Sequence, residues 1–469
     1  MGFTSLQFVF FLPIVFGLYW TLPVRWRNLL LLVASYYFYM TWNYRFGALL
    51  FATTFIDWIL GLQIEKTASP KKKKLFVALS LITNLGCLAA FKYTALLYNT
   101  FEWTRSEING THPHYIEALI IPVGLSFYVF HSLSYIIDIS RGKIKAETNF
   151  GTFALFVSFF PQLVAGPIAR FGDLGVQFHE EKKWNTDQFL AGCRLVLWGY
   201  FKKIVIADRL ATIVNPVFEN PETYNGLTLF VAGIFFTVQV YCDFSGYSDI
   251  ATGIARFFGY ELKLNWRRPL LSKSLHEFWR RNHISMTSWF RDYLYISLGG
   301  SRVAYPRWML NLFLVFLISG LWHGASWTFV IWGALHGIVY IIEILLKDKF
   351  RIPFVGWIYL FLFHSLALIA FRAENFSDLK TIYHHIFSFQ WSVEVSYTEI
   401  TGIADRLPVF LSIAGIVSLF AFELREEHRW LSSLPKMQML WRPLFYTILF
   451  VSIFTLGEFS ANEFIYFHF

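Results

Sequence analysis

Charge is scarce in this chain. Of 469 residues only 15% are charged, while 56% are hydrophobic and 20% aromatic. A soluble domain carries about 25% charged residues, so a soluble fold is excluded. Long apolar runs recur from end to end and describe a polytopic membrane protein. Length alone would suggest two or three soluble domains, but no polar linker divides the chain. The reading is one membrane-embedded domain over residues 1–469, with the candidate functional residues near 121–346 and C-terminal helices near 354–469. At about 20 residues per span, roughly 12 membrane helices fit an all-α bundle. Cysteine is just as scarce. Cys87, Cys193 and Cys242 stand apart with no C-x-x-C pair, which argues against a disulfide framework and a zinc site, and no metal is expected. No basic, aromatic-interleaved soluble module exists either, so the net charge of +9 needs no nucleic-acid partner. In a membrane protein that excess belongs to cytoplasmic loops. An internal repeat is also missing, which counts against transporter folds built from two halves.

No positive charge precedes the first apolar run, residues 5–20. A cleavable signal peptide carries its charges there, so a retained first helix is expected, with its N-terminus outside. Helices are expected near 28–44, 46–64, 75–98 and 117–139, with a polar loop at 99–116. Arg25 and Arg27, the Glu65–Lys74 stretch with four consecutive lysines, and Arg141, Lys143 and Lys145 then fall on one side, which the positive-inside rule makes cytoplasmic. Arg425, Arg429, Lys436 and Arg442 place the loop 424–442 there too. In GTFALFVSFFPQLVAGP, Pro161, Gly166 and Pro167 break a helix around Gln162. Such a break must line a cavity or be buried in protein. The amphipathic segment 189–206 is expected in the membrane interface. A helix near 226–242 runs into YCDFSGYSD, where Asp243, Ser245 and Asp249 admit two readings: caps and tight turns, or a polar site. Ser245 lacks the G-x-S-x-G context of a nucleophile elbow.

What is present is concentrated between Ser274 and Gly337. Ser274 and Glu277 have the spacing of a capping box. On a helix projected from there, His276, Arg280, His283, Thr287 and Arg291 form one polar stripe, flanked by Phe278, Trp279, Met286, Trp289 and Phe290. A polar stripe in so aromatic a helix faces water, headgroups or an internal passage. Further on, His323 follows Trp322 inside an apolar run from Leu310 to Leu346. An ionisable residue there points to function. The chemistry that most needs a dry, neutral imidazole is proton removal from a hydroxyl that attacks an acyl group. The competing reading is a core histidine donating to a carbonyl. His336 fits that second reading, because Gly333, Ala334 and Gly337 around it look like a helix–helix contact. On one straight helix His323 and His336 would differ by about 220°, unless the chain breaks at Gly320 or Gly324. Arg280, Arg281 and Arg291 admit either interfacial snorkelling or phosphate binding to a cytoplasmic acyl donor.

Five blocks together carry a resemblance: IPVGLSFYVFHSLSYIIDISRGK (121–143), FFPQLVAGPIARFGDL (159–174), YCDFSGYSDIATGIARFFGY (241–260), SLHEFWRRNHISMTSWFRDYLYISLGG (274–300) and GLWHGASWTFVIWGALHG (320–337). In order and spacing the chain resembles the bacterial branch of the membrane-bound O-acyltransferases, most closely the membrane subunits of alginate O-acetyltransferases. The C-terminal hundred residues match only in character. The resemblance implies membrane helices around a funnel or tunnel, with re-entrant or interfacial helices on the cytoplasmic side. It places the catalytic histidine on His323 and a second histidine on His283, with Arg280, Arg281, Asn282, Arg291, Trp322, Gln162 and Asp243 as donor- or substrate-binding candidates. It implies a bacterial inner-membrane enzyme with no bound cofactor. Its donor would be a cytoplasmic acyl thioester such as acetyl-CoA, its partner a periplasmic hydrolase-like acetyltransferase, and its acceptor a polysaccharide. Asn282 departs from the pattern, which has Trp before the histidine, and this bears on pocket shape. The same scaffold serves D-alanyl transfer to teichoic acid from a carrier protein. A small-solute transporter using its histidines as a proton relay is the reading from another class.

Overall fold

The computed structural model describes residues 1–110, 112–346, 353–389, 391–428, 435–459 and 464–465. Among these the chain is helical, with no strand. Arg429 of the basic loop 424–442, and the side chains of Lys436 and Arg442, lie outside the described residues. Contacts divide the chain into two compact units. The first is Met1–Gly192 with Ala251–Lys263 and Arg291–Tyr293; the second is Cys193–Ile250 with Leu264–Phe290 and Leu294–Phe469.

The first unit holds α1 (Leu6–Thr21), α2 (Val24–Met40), α3 (Tyr44–Lys66), α4 (Pro70–Lys92), α5 (Thr94–Asn109), α6 (Leu125–Ser140), α7 (Phe150–Ser158) and the single turn α8 (Phe160–Leu163). Several boundaries differ from the expected ones: the helix expected from 117 begins at Leu125, after Gly124 in the left-handed conformation (φ 74°), and two others differ for local reasons. The four lysines are the first turns of α4, because Ser69 accepts from the Lys72 amide and Pro70 sits at the first helical position. The expected loop 99–116 is mostly α5, which stops at Gly110 in the left-handed conformation (φ 65°). In the core, α3 packs on α4, α6 and α7. Asp57 of α3 accepts from Ser80 Oγ at 2.6 Å and Asn84 Nδ2 at 2.8 Å of α4, so a buried carboxylate clamps two apolar helices.

The expected break around Pro161 is present between α7 and α8, and it is buried. Phe159 leaves the helical conformation, the Phe160 backbone amide donates to Ser35 Oγ at 3.0 Å, and the Gln162 side chain donates from Nε2 to the Phe156 carbonyl at 2.8 Å. Side chains thus satisfy the backbone groups that the break frees.

Helix α9 (Thr186–Tyr200) continues through a π-helical turn, Phe201–Ala207, into α10 (Asp208–Glu219). Then come α11 (Gly226–Phe257), α12 (Leu275–Arg281), α13 (Ile284–Trp289), α14 (Tyr305–His323), α15 (Trp327–Leu345), α16 (Pro353–Arg372), α17 (Phe376–Phe387), α18 (Val393–Ile403), α19 (Arg406–His428) and α20 (Pro435–Leu456). Among the described residues, six helices are long and apolar enough to cross a membrane: α3, α4, α11, α15, α16 and α19. Helix α11 is the most enclosed of them, with 72% of its apolar window buried against 17–50% for the others.

The expected end of a helix near 242 is overturned. Helix α11 runs on through Asp243, Ser245 and Asp249, so these residues are neither caps nor turns. Asp243 and Asp249, with the Ser245 hydroxyl between them, belong to a buried cluster within the second unit. Lys202 meets Asp249 at 2.7 Å and donates to Ser245 Oγ at 2.9 Å; Lys203 meets Asp243 at 2.7 Å and Asp208 at 2.8 Å. The π turn places consecutive lysines toward one helix, and the charges are tolerated because they are paired.

Candidate active site

The projected single helix from Ser274 is two short helices. Ser274 caps α12 as expected, accepting from the Glu277 amide at 3.2 Å, but Glu277 reaches back to the Lys273 amide, at 2.9 Å. The first α12 amides, Leu275 and His276, point at the Glu343 carboxylate of α15, at 2.8–3.3 Å, where a helix N-terminus favours negative charge. His276 Nδ1 also meets the Tyr340 hydroxyl of α15 at 2.7 Å. After Arg281 the helix breaks, and His283 takes the left-handed conformation with φ 43°, a conformation uncommon for a side chain larger than glycine and found at functional sites.

Asn265 holds this break. Its carbonyl accepts from the Ile284 amide at 2.8 Å, and its Oδ1 accepts from Ser285 N at 3.1 Å and Ser285 Oγ at 2.8 Å. Its Nδ2 donates to Ser248 Oγ at 3.2 Å, which fixes the amide's orientation. His283 Nδ1 lies 3.2 Å from that same Oδ1, so Nδ1 carries the proton and Nε2 carries the lone pair. Phe244 and Trp266 pack on the ring at 4.7 and 5.7 Å. This burial lowers the imidazole pKa to about 3, so His283 is neutral across physiological pH.

His323 is the last residue of α14, and the chain breaks at Gly324, one of the two glycines where a break was allowed. Gly324 is extended, and a Cβ there would come within 2.1 Å of the Phe329 ring. Ser326 then caps α15. The two helices form a hairpin whose backbones touch at Gly320 and Gly333: a Cβ on Gly320 would sit 2.3 Å from the Phe329 carbonyl, and one on Gly333 2.5 Å from the Phe316 carbonyl. His336 is enclosed by Trp332, Phe363, Trp279 and His364, with ring centroids 4.8–5.5 Å away. That is the environment of a core side chain.

Within the second unit, His283 and His323 line one cavity with Tyr241, Phe244, Trp266, Trp279, Asn282, Met286, Trp332, His364, Leu368 and Phe371, among others. The cavity is small, about 60 Å³, room for roughly four waters or a short acyl group. None of the described lining residues is Asp, Glu, Lys or Arg. Tyr241 turns its hydroxyl to the buried Glu423. Ile465 completes the lining, and its amide donates to Asp243 Oδ2 at 2.8 Å.

The other expected site residues are dispersed. Asn282 lines the cavity, and Trp322 packs against both histidines, at 6.3 Å from His283 and 4.9 Å from His323. Arg280 is exposed on α12. Arg281 meets Glu277 at 2.6 Å and Glu427 at 2.9 Å, so its guanidinium is committed to carboxylates. Asp243 belongs to the lysine cluster and not to the cavity lining. Gln162 and Arg291 belong to the first unit, where Arg291 meets Asp292 at 2.7 Å. Asn265, His364 and Trp332 were not singled out by the sequence. His364 had a usable signal, since it is an ionisable side chain inside the apolar run of α16. Asn265 had none, because its role depends on a neighbour 18 positions away.

A helical membrane architecture and a buried pair of histidines in an uncharged cavity define a class that sequence comparison also identifies. Residues 140–373 match the model of the MBOAT, membrane-bound O-acyltransferase family, a window that contains both histidines. The chain is 37% identical to a probable alginate O-acetylase AlgI from Pseudomonas putida, aligned over 100% of each chain, and 40% identical to one from Azotobacter vinelandii over 90% of this chain and 86% of the relative. A peptidoglycan O-acetyltransferase from Helicobacter pylori is 34% identical over 81% of this chain and 79% of its own. The chain therefore belongs to the membrane-bound O-acyltransferase family. It is a multi-pass membrane protein and an acyltransferase.

Proposed function

We propose that the protein passes an acetyl group from a cytoplasmic thioester, acetyl-CoA, to a hydroxyl acceptor at the outer side of the bacterial inner membrane, for O-acetylation of an exported, alginate-like polysaccharide. The observation that carries this reading is the joint placement of His283 and His323 in a small cavity without charged walls. An uncharged acetyl group suits such walls. A D-alanyl group brings an ammonium, and no carboxylate among the described lining residues would pair it. Membership of an acyltransferase family removes the solute-transporter reading.

His323 is the general base in this proposal. An imidazole nitrogen takes the proton of the attacking hydroxyl, whose oxygen bonds to the thioester carbonyl carbon. The carbon–sulfur bond then breaks, and the imidazolium returns the proton to the thiolate. Ester and thiol leave, and atoms and charge balance. His283, held by Asn265 with its lone pair on Nε2, accepts a hydrogen bond from a hydroxyl. A role for it in polarising the carbonyl would need the opposite tautomer. Arg280 is the candidate for donor phosphate. The full scheme includes one acyltransferase domain with roughly 12 membrane segments around a funnel, an external N-terminus, cytoplasmic basic loops and a periplasmic hydrolase-like partner that completes transfer to the polymer.

The test is release of CoA from acetyl-CoA by purified protein in liposomes, with acceptor and partner fraction supplied. Removal of a general base costs about 10²–10⁴-fold. His323→Ala is expected to keep its fold and membrane insertion and to lose turnover by that factor. Undiminished turnover overturns the assignment, and turnover only with an acylated carrier protein overturns the donor.

A further inference from the structure

Several indole N–H groups outside the core have partners. Trp266 donates to Ser248 Oγ at 3.1 Å, Trp308 to the Tyr295 hydroxyl at 2.8 Å, Trp357 to the Leu270 carbonyl at 2.8 Å, and Trp391 to the Ile386 carbonyl at 3.1 Å. Trp279 of α12 and Trp332 of α15 differ. Both line the cavity, they are only 6% and 3% exposed, and neither Nε1 has a hydrogen-bond partner among the described residues. Their rings are 6.0 Å apart, and Trp332 lies 5.2 Å from the ring of His323. Buried donors without partners are rare because leaving them so is costly. Here two such indoles line one small cavity, and Trp332 packs on the candidate base.

An indole can only donate, so the missing partner is an acceptor atom. The described residues of the cavity walls supply no carboxylate. The strong acceptor of an acyl thioester is its carbonyl oxygen, and that oxygen gains negative charge as the tetrahedral intermediate forms. Fixed N–H donors in a dry site are effective stabilisers of such charge and need no reorganisation. The tautomer of His283 excludes its Nε2 as this donor. The geometry points to Trp279 and Trp332 as an oxyanion hole made of two indole N–H groups, which hold the acyl carbonyl oxygen while His323 takes the proton of the attacking hydroxyl. This assignment rests on the acyl-transfer reading of the cavity. In the step itself the carbonyl π electrons move onto the oxygen held by the indoles as the new carbon–oxygen bond forms. They return as the carbon–sulfur bond breaks, and the thiolate takes its proton from the His323 imidazolium.

The experiment removes only the donor. Benzothienylalanine, which has sulfur in place of the indole N–H, is introduced at position 279 or 332 of the full chain by suppression. Acetyl-CoA turnover and the carbonyl stretch of bound donor, labelled with ¹³C at the thioester carbon, are then measured. Loss of one oxyanion donor costs about 10²–10³-fold in kcat. That loss is expected at each position, with an unchanged KM for the donor and a carbonyl stretch shifted to higher wavenumber. Trp279→Phe and Trp332→Phe, read the same way, serve where the analogue is not accommodated. Wild-type kcat, or a loss of rate with an unshifted carbonyl stretch, overturns the oxyanion hole. If His323→Ala is inactive in the same assay, the acyl-transfer reading survives that failure. If His323→Ala turns over at the wild-type rate, both fall.

Discussion

At the scale of single residues, the site depends on keeping an imidazole neutral where it is costly to charge. Burial holds the His283 pKa at about 3, whereas an unfolded chain has it near 6.5. Between those values the unfolded state binds the extra proton, so stability rises with pH there. His283 therefore contributes stability that is present above pH ~6.5 and is lost as pH falls toward about 3. The thermal midpoint of wild type in detergent should drop through this window more steeply than that of His283→Gln. Parallel curves would show that His283 titrates alike in both states. His283 and His323 were legible in the sequence because each is an ionisable side chain among aromatics. The indoles of Trp279 and Trp332 were not, since Trp in a membrane helix is ordinary and only the packing shows which N–H groups lack a partner.

At the scale of elements, the hairpin of α14 and α15 sets where His323 sits. Its helices approach through Gly320 and Gly333, and a methyl group at position 333 would lie 2.5 Å from the Phe316 carbonyl. Gly333→Ala must push the helices apart one helical turn from the histidine. A destabilisation of about 1–3 kcal/mol is expected for such overpacking, together with loss of turnover. A variant with wild-type midpoint and activity would show that the contact relaxes freely. Proline and glycine marked the break between α7 and α8 in the sequence, whereas at the hairpin they left a break at Gly320 or Gly324 only as an open alternative to one straight helix. Sequence pattern failed at α11. Ser, Asp and Gly in YCDFSGYSD carry the local signature of a turn, and only the lysines of the π turn, some 40 positions upstream, make a continued helix affordable. It failed at His283 as well, where a regular stripe hid a left-handed residue.

At the scale of the whole molecule, the six apolar helices and the exposed stripe of α19, formed by Leu407, Phe410, Ile413 and Val417, fit a chain solvated by lipid. The basic segments give the orientation its test. In a background without native cysteines, Lys72→Cys is expected to react with an impermeant maleimide only after the inner face is opened, and His112→Cys in intact cells. Labelling of both from one side would reverse or break the proposed topology.

Glu343 has a further consequence for this molecule. It caps α12 from α15, and Tyr340 adds a second tie to His276, so the two helices that carry Trp279 and Trp332 behave as one mechanical piece. The wall bearing the indoles cannot be widened by sliding one helix along the other without uncapping α12. Room for a longer acyl chain has to come from α16, where Leu368 and Phe371 close the cavity. An engineer who wants this enzyme to carry propionyl or butyryl groups should start there.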